Sequence, residues 1–197
     1  YDPPLSFDID GTIAIVTGTI DISTPSRVME LILHHPEVDT LILLDCPGSI
    51  DDDSSMLACQ IIRHHGLTTF VPADGEVASG GVDLFLSGAR RLAEPGARFG
   101  VHSWGGVGES GADLPRDHES HEMYLEFCRD MDIPKSFYWF TLEAEIQIFF
   151  DSHCYLCKSS TWSICYLTII RRTIDTVINT PTFYTSTITN STGMSRT

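Results

Sequence analysis

Apolar and polar positions along the chain fall into short blocks that read alternately as strands and helices. Ile13-Ala-Ile-Val-Thr-Gly-Thr-Ile20 is dominated by β-branched residues and reads as extended. Thr24 and Pro25 open a helix, threonine as N-cap and proline at the first helical position. Its apolar residues are Val28, Met29, Leu31, Ile32 and Leu33, and it runs to His35 and stops at Pro36. Thr40-Leu-Ile-Leu-Leu-Asp45 is a continuous apolar run, the pattern of a strand buried on both faces. Cys46-Pro-Gly-Ser49 is a turn. Asp51, Asp52 and Asp53 then open a second helix, where carboxylates favour the N-terminal dipole. It carries Met56, Leu57, Ile61 and Ile62 and ends near Gly66. Leu67–Val71 is the next strand. The small-residue elbow Ala78-Ser79-Gly80-Gly81 comes after it, then a helix through Val82, Leu84, Phe85 and Leu86 to about Arg91. Arg98-Phe-Gly-Val-His102 is another strand, a glycine-rich loop covers 105–111, and a helix is expected over Asp117–Met131. Strands alternating with helices imply a mostly parallel sheet and the α/β class, over residues 1–144.

Composition sets that region apart from the C-terminal segment. Residues 1–144 hold 24 of the 27 acidic residues and 14 of the 15 glycines. Residues 145–197 have no alanine, one glycine (Gly193) and one proline (Pro181), and are rich in Ser, Thr, Ile, Tyr and Cys. Four basic residues there oppose three acidic ones, a net of +1. The segment is read as a compositionally distinct, poorly ordered tail whose origin differs from that of the domain, through a shifted reading frame or a recent replacement. The chain opens on Tyr1 without a methionine, which suggests processing or a fragment.

The net charge of −15 argues against nucleic acid or an anionic membrane as partner, since both require a basic surface. No apolar run approaches the roughly 18–20 residues that span a bilayer. The residues do not choose between cytoplasm and periplasm. Six cysteines are present, and Cys154-Tyr-Leu-Cys157 is a CxxC without a second pair. The cysteines read as small buried hydrophobes, and no metal or cofactor is expected.

The chemistry-bearing residues are Ser79 and His102. Ser79 stands in the elbow between an extended run and a helix, and His102 ends the next extended run 23 residues later. A serine in such a turn is presented as a nucleophile, and a histidine on the neighbouring strand end supplies its base. Together, Asp45-Cys46-Pro47-Gly48-Ser49, Ala78-Ser79-Gly80 and Arg98-Phe-Gly-Val-His102 resemble the Clp-type serine protease proteolytic subunit, within the wider Clp/crotonase fold. The resemblance covers roughly residues 10–140. It implies acyl transfer on a peptide or acyl substrate, with Ser79 as nucleophile, His102 as base, and the Gly48 and Gly80 N–H groups as oxyanion donors. It also implies an acid downstream of the histidine, for which spacing selects Asp151, with Asp132 as fallback. The family forms rings, so a homo-oligomer is implied.

One departure stands out. The family turn reads Pro-Gly-Gly-Ser, and Pro47-Gly48-Ser49 is one glycine short. Losing an oxyanion donor costs on the order of 10²–10³ in rate. A catalytically impaired assembly module is therefore an alternative, as is an acyl-CoA-handling crotonase-type enzyme using the same two amides. The Ser–Lys dyad of signal-peptide peptidases is excluded, because the lysines, Lys135 and Lys158, stand in no matching motif.

Two further patterns take simpler readings. Phe7-Asp8-Ile9-Asp10-Gly11-Thr12 matches the DxDGT signature of haloacid-dehalogenase-like phosphatases. No buried apolar strand precedes it and a strand comes at once after it, so a hairpin turn before Ile13 is preferred. His118-Glu-Ser-His121-Glu122 is not HExxH and reads as a solvated acidic helix face. The pairs His34-His35 and His64-His65 end helices, where histidine suits the dipole.

Overall fold

The computed structural model describes residues 3–106, 109–143 and 148–151. The chain begins with an antiparallel hairpin of β1 (Ser6–Asp10) and β2 (Ile13–Thr17), turning at Gly11-Thr12. Gly11 has φ +60, which glycine adopts without steric penalty. The DxDGT stretch is thus a hairpin, with Asp8 and Asp10 exposed on the edge strand.

Helix α1 (Thr24–His34) comes next, one residue earlier than its expected cap implies. The Asp21 carboxylate anchors its start, accepting from the Ser23 N–H at 2.9 Å and the Ser23 hydroxyl at 2.6 Å. Strand β3 (Thr40–Cys46) leads to helix α2 (Asp52–His65). Asp51 caps α2 through the Ser54 N–H at 2.8 Å, and Gly66 ends it at φ +72. Strands β4 (Thr68–Val71) and β5 (Glu76–Ala78) precede helix α3 (Gly80–Leu86).

The expected continuation of that helix to Arg91 is not what forms. The chain turns at Ser87–Gly88 and enters strand β6 (Arg90–Ala93), which pairs with β4. A Cβ at Gly88 would lie 2.2 Å from Thr69 Oγ1, so the backbone passes close against β4 there. Arg91 is buried because its guanidinium reaches the carbonyls of Leu86 and Met131. Burial pushes its pKa down to about 10, with Arg63 adding repulsion. An arginine that reads as a polar helix end is in this way a core-bracing residue.

Strand β7 (Arg98–Val101) is followed by the short β8 (Gly105–Gly106) and β9 (Glu109–Ser110). The helix expected over Asp117–Met131 is shorter: a 3₁₀ turn at Glu119–His121 precedes α4 (Glu122–Asp130). Helix α5 (Lys135–Glu143) and β10 (Ile148–Asp151) complete the described chain. The remainder of the compositionally distinct segment, including Cys154, Cys157 and Cys165, lies outside the described residues.

Pairing is parallel for β2–β3, β3–β4, β3–β5, β4–β6 and β5–β7, and antiparallel for β1–β2 and β7–β10. The protein is therefore mixed α/β with a mostly parallel sheet, as the alternation implies. The sheet forks on β3: Thr40–Ile42 pair with β4, while Asp45 and Cys46 pair with β5. On β3, Leu41 and Leu43 are fully buried and Ile42 and Leu44 half-buried, so burial alternates rather than being equal on both faces. Val28 and Leu31 of α1, Cys59 and Ile62 of α2, and Leu84 and Phe85 of α3 complete the core. Among the described residues no helix is long and apolar enough to cross a membrane.

The consequence for function is positional. β3, β5 and β7 are neighbours and parallel, so their carboxyl ends lie at one edge of the sheet. That edge is where open α/β sheets bind ligands, because the connecting loops diverge there. The residues immediately after those three strands are Pro47–Ser49, Ser79 and His102.

Candidate active site

Ser79 joins β5 to α3 with φ +51 and ψ −124, a conformation that non-glycine residues rarely adopt. Its backbone is held on both sides. The N–H donates to the Gly100 carbonyl on β7 at 2.8 Å, and the carbonyl accepts from the Val82 N–H at 2.8 Å. Such a backbone costs of order 1–3 kcal/mol and persists only where its surroundings impose it. Here they do. A Cβ at Gly81 would lie 2.2 Å from the Cys46 carbonyl oxygen, and one at Gly80 2.8 Å from Ser49 Cβ. The start of α3 therefore sits directly on the turn after β3, and only glycines fit.

Gly48 occupies the other side of the elbow, with φ +143. A Cβ there would be 3.1 Å from Ser79 Cβ and 3.6 Å from Ser79 Oγ. The one-glycine turn still brings Gly48 against the serine hydroxyl. Gly80 is the first residue of α3, so its N–H has no acceptor within the helix. Among the described residues no hydrogen bond uses the N–H of Gly48 or of Gly80.

His102 directly succeeds β7 and is half-buried. Its Nδ1 lies 2.7 Å from the Ser103 carbonyl oxygen. A carbonyl can only accept, so Nδ1 carries the hydrogen and Nε2 of the neutral ring holds the lone pair. Among the described residues no hydrogen bond joins Ser79 to His102. Both line one solvent-open cleft.

Of the two candidate acids, Asp151 is described by its backbone alone and Asp132 with its surroundings. The backbone of Asp151 pairs with Arg98, whereas Ile148 pairs with Val101, the residue next to His102. Four residues of strand, roughly 13 Å at about 3.3 Å each, separate that position along β7 from His102. Asp132 is exposed beyond α4 with φ +57, beside Arg91, whose charge it favours, and it does not line the cleft.

Several residues that sequence reasoning misses do line it. Asp83 stands on α3, one turn below Ser79, between Val82 and Leu84. Burial pushes its pKa up to about 7, and the nearby Asp52 carboxylate adds to the shift. An acid embedded in Val-Asp-Leu-Phe-Leu is the available signal. Asp52 reads in sequence only as a helix-opening charge. Asp51 performs that task, while Asp52 accepts from the Ser49 hydroxyl at 2.8 Å and the Tyr124 hydroxyl at 2.8 Å.

The facing wall is aromatic. Tyr124 stacks between Trp104 and Tyr138, at centroid distances of 5.5 and 5.4 Å. Behind it, Trp104 Nε1–H donates to Tyr138 Oη at 2.8 Å, and Tyr138 Oη lies 2.6 Å from His121 Nδ1. His121 Nε2–H in turn donates to the Pro115 carbonyl at 3.0 Å, which leaves Nδ1 to accept the tyrosine proton. This corrects the reading of His118–Glu122 as a solvated face: His118, Glu119 and Glu122 are exposed, but His121 is 1% exposed and braces the aromatic wall.

No protein-family model and no curated protein matches the chain. Partial likenesses to solved structures exist. The 1510-N membrane-bound stomatin-specific protease, a mutant in complex with a substrate peptide, is 14% identical over 66% of each chain, at a TM-score of 0.45. An enoyl-CoA hydratase from Polaromonas sp. JS666 is 14% identical over 50% of this chain and 51% of its own, at a TM-score of 0.37. DspI of Pseudomonas aeruginosa is 17% identical over 48% of this chain and 51% of its own, at 0.37. The chain spans about half the length of the last two. The fold class rests on the pairing of the strands.

Proposed function

We propose that this chain is a serine acyl hydrolase of the Clp-like kind, acting on a peptide or ester carbonyl. Ser79 Oγ attacks the carbonyl carbon while His102 Nε2 takes its proton. The carbonyl π-bond opens to an oxyanion facing the Gly48 and Gly80 N–H groups. Collapse of the adduct breaks the bond to the leaving group, and the imidazolium returns the proton to it. Water then repeats the sequence on the acyl-serine, regenerating the hydroxyl. The observation that carries this reading is the strained φ of Ser79, on a strand-to-helix turn at the same sheet edge as His102. Strain of that kind is sustained where a side chain must be presented.

A fluorophosphonate probe tests it. The folded protein is expected to label, and Ser79→Ala to lose the label. A folded sample that takes up no probe overturns the reading.

One observation favours a second reading. Asp83, at a pKa of about 7 in the same cleft, is suited to moving a proton near neutrality. An acyl-CoA-handling enzyme would use it as acid or base while the same two amides polarise a thioester. Retention on a CoA resin, without fluorophosphonate labelling, would select it.

A further inference from the structure

The hydrolase reading leaves one role unfilled, that of the group orienting His102. We infer that the backbone carbonyl of Ser103 fills it, and that Ser103 is a positioning residue held in place by its own hydroxyl. This rests on the Ser79–His102 reading for its role in catalysis but not for its geometry.

Three observations carry it. First, the 2.7 Å contact from His102 Nδ1 to the Ser103 oxygen sets the tautomer that a base requires, with Nε2 free of hydrogen. Second, the carbonyl is not loose. Ser103 Oγ accepts from the Ala112 N–H at 3.1 Å, shares a hydrogen bond with Ser110 Oγ at 3.1 Å, and reaches the Trp104 carbonyl at 3.2 Å. The Gly111 N–H donates to that same Trp104 carbonyl at 3.0 Å. Gly111 is buried against the indole, where a Cβ would fall 2.4 Å from a ring carbon, and the indole N–H is fixed on Tyr138. The strand exit at 102–104 is thus tied to 110–112 along both backbone and side chains. Third, the backbone of Asp151 stands at the other end of β7, across from Arg98.

The donor and acceptor set the chemistry. A neutral carbonyl dipole fixes ring orientation and tautomer as a carboxylate would. It stabilises the imidazolium less than a full negative charge does. Among the described residues, the contact that orients His102 is thus a neutral dipole and not a carboxylate.

The test reads the tautomer directly. Imidazole ¹⁵N shifts of His102, assigned with His102→Gln, are compared at alkaline pH in wild type, Ser103→Ala, Ser103→Thr and Asp151→Asn, alongside fluorophosphonate labelling rates. Wild type is expected to hold the Nδ1–H form. Ser103→Ala is expected to release it toward the Nε2–H form and slow labelling at least tenfold, below the roughly 10⁴ lost when a triad histidine is locked in the wrong tautomer. Ser103→Thr, which keeps the hydroxyl, restores both, and Asp151→Asn changes neither. An Nε2–H form in wild type overturns the inference, and so does a tautomer that responds to Asp151→Asn but not to Ser103→Ala. Should Ser103→Ala fail to fold, Ser110→Ala loosens the same anchor, and the wild-type tautomer still decides. Absent labelling with an Nδ1–H ring would remove the hydrolase reading while leaving this one standing.

Discussion

Replacing Asp83 by asparagine probes how dry the cleft floor is. Asp83 sits among Val82, Leu84, Phe85 and Leu86 on α3, and its pKa rises from 3.8 to about 7 because of burial first and Asp52 second. In the unfolded chain it titrates near the ordinary carboxylate value. Well below pH 4 both states hold the proton and the shift has no effect on stability. Between about 4 and 7 the folded state keeps a proton that the unfolded state has lost, so stability falls as pH rises, by about 1.36 kcal/mol per unit at most. Above about 7 both states are ionised and the loss is complete. A shift of about three units sets a ceiling near 4 kcal/mol, and solvent entering the open cleft reduces the expected loss to about 1–3 kcal/mol. Asparagine keeps the shape and removes the ionisation. Urea denaturation of both proteins at pH 5 and pH 8 therefore separates this group from the other acidic residues, whose contribution is common to both. The variant is expected to lose about 1–3 kcal/mol less than wild type between the two pH values. Equal losses would refute the reasoning and mean that the Asp83 carboxyl is solvated.

Two further substitutions test the elbow. Ser79→Gly relieves the positive φ while Ser79→Ala keeps it, so the glycine variant is expected to be the more stable by about 1 kcal/mol, after glycine's own entropic penalty. Equal denaturation midpoints would mean that the turn is unstrained. Gly81→Ala drives a Cβ to 2.2 Å from the Cys46 carbonyl oxygen, backbone that can yield only by moving the end of β3. A loss of at least about 1–3 kcal/mol is expected in chemical denaturation, together with loss of probe labelling as Ser79 shifts. Wild-type stability with full labelling would contradict so close a contact between α3 and the end of β3.

Much of the frame is readable from residue order. The α1 and α2 blocks, the Pro36 stop, the Asp51 cap and the Gly66 end are local events within a few residues, and each falls within a residue or two of its expected place. The elbow is legible for the same reason, because Ser79 between small residues and Gly80-Gly81 has few structural uses. Where reading fails, a distant partner has overridden local preference. Arg90–Ala93 becomes a strand because β4 is there to pair with it. His121 becomes a buried brace because Tyr138 and Pro115 satisfy both ring nitrogens.

The candidate site divides along the same line. The proposed nucleophile, base and glycine donors are single residues that follow β5, β7 and β3, and their order along the chain is legible from the alternation of strands and helices. Which acid accompanies them is a matter of what converges from far along the chain. The β7–β10 register sets the Asp151 backbone against Arg98, and the fold brings Asp83 and Asp52 to the cleft together. The histidine's nearest acceptor is main chain, and a backbone carbonyl leaves no mark in residue identity. Local sequence thus specifies the strand ends and the glycine-permitted turns, since those depend on steric limits within a few residues. The pKa of Asp83, the tautomer of His102 and the aromatic wall depend on desolvation and hydrogen bonding between segments that only packing brings within a few ångströms.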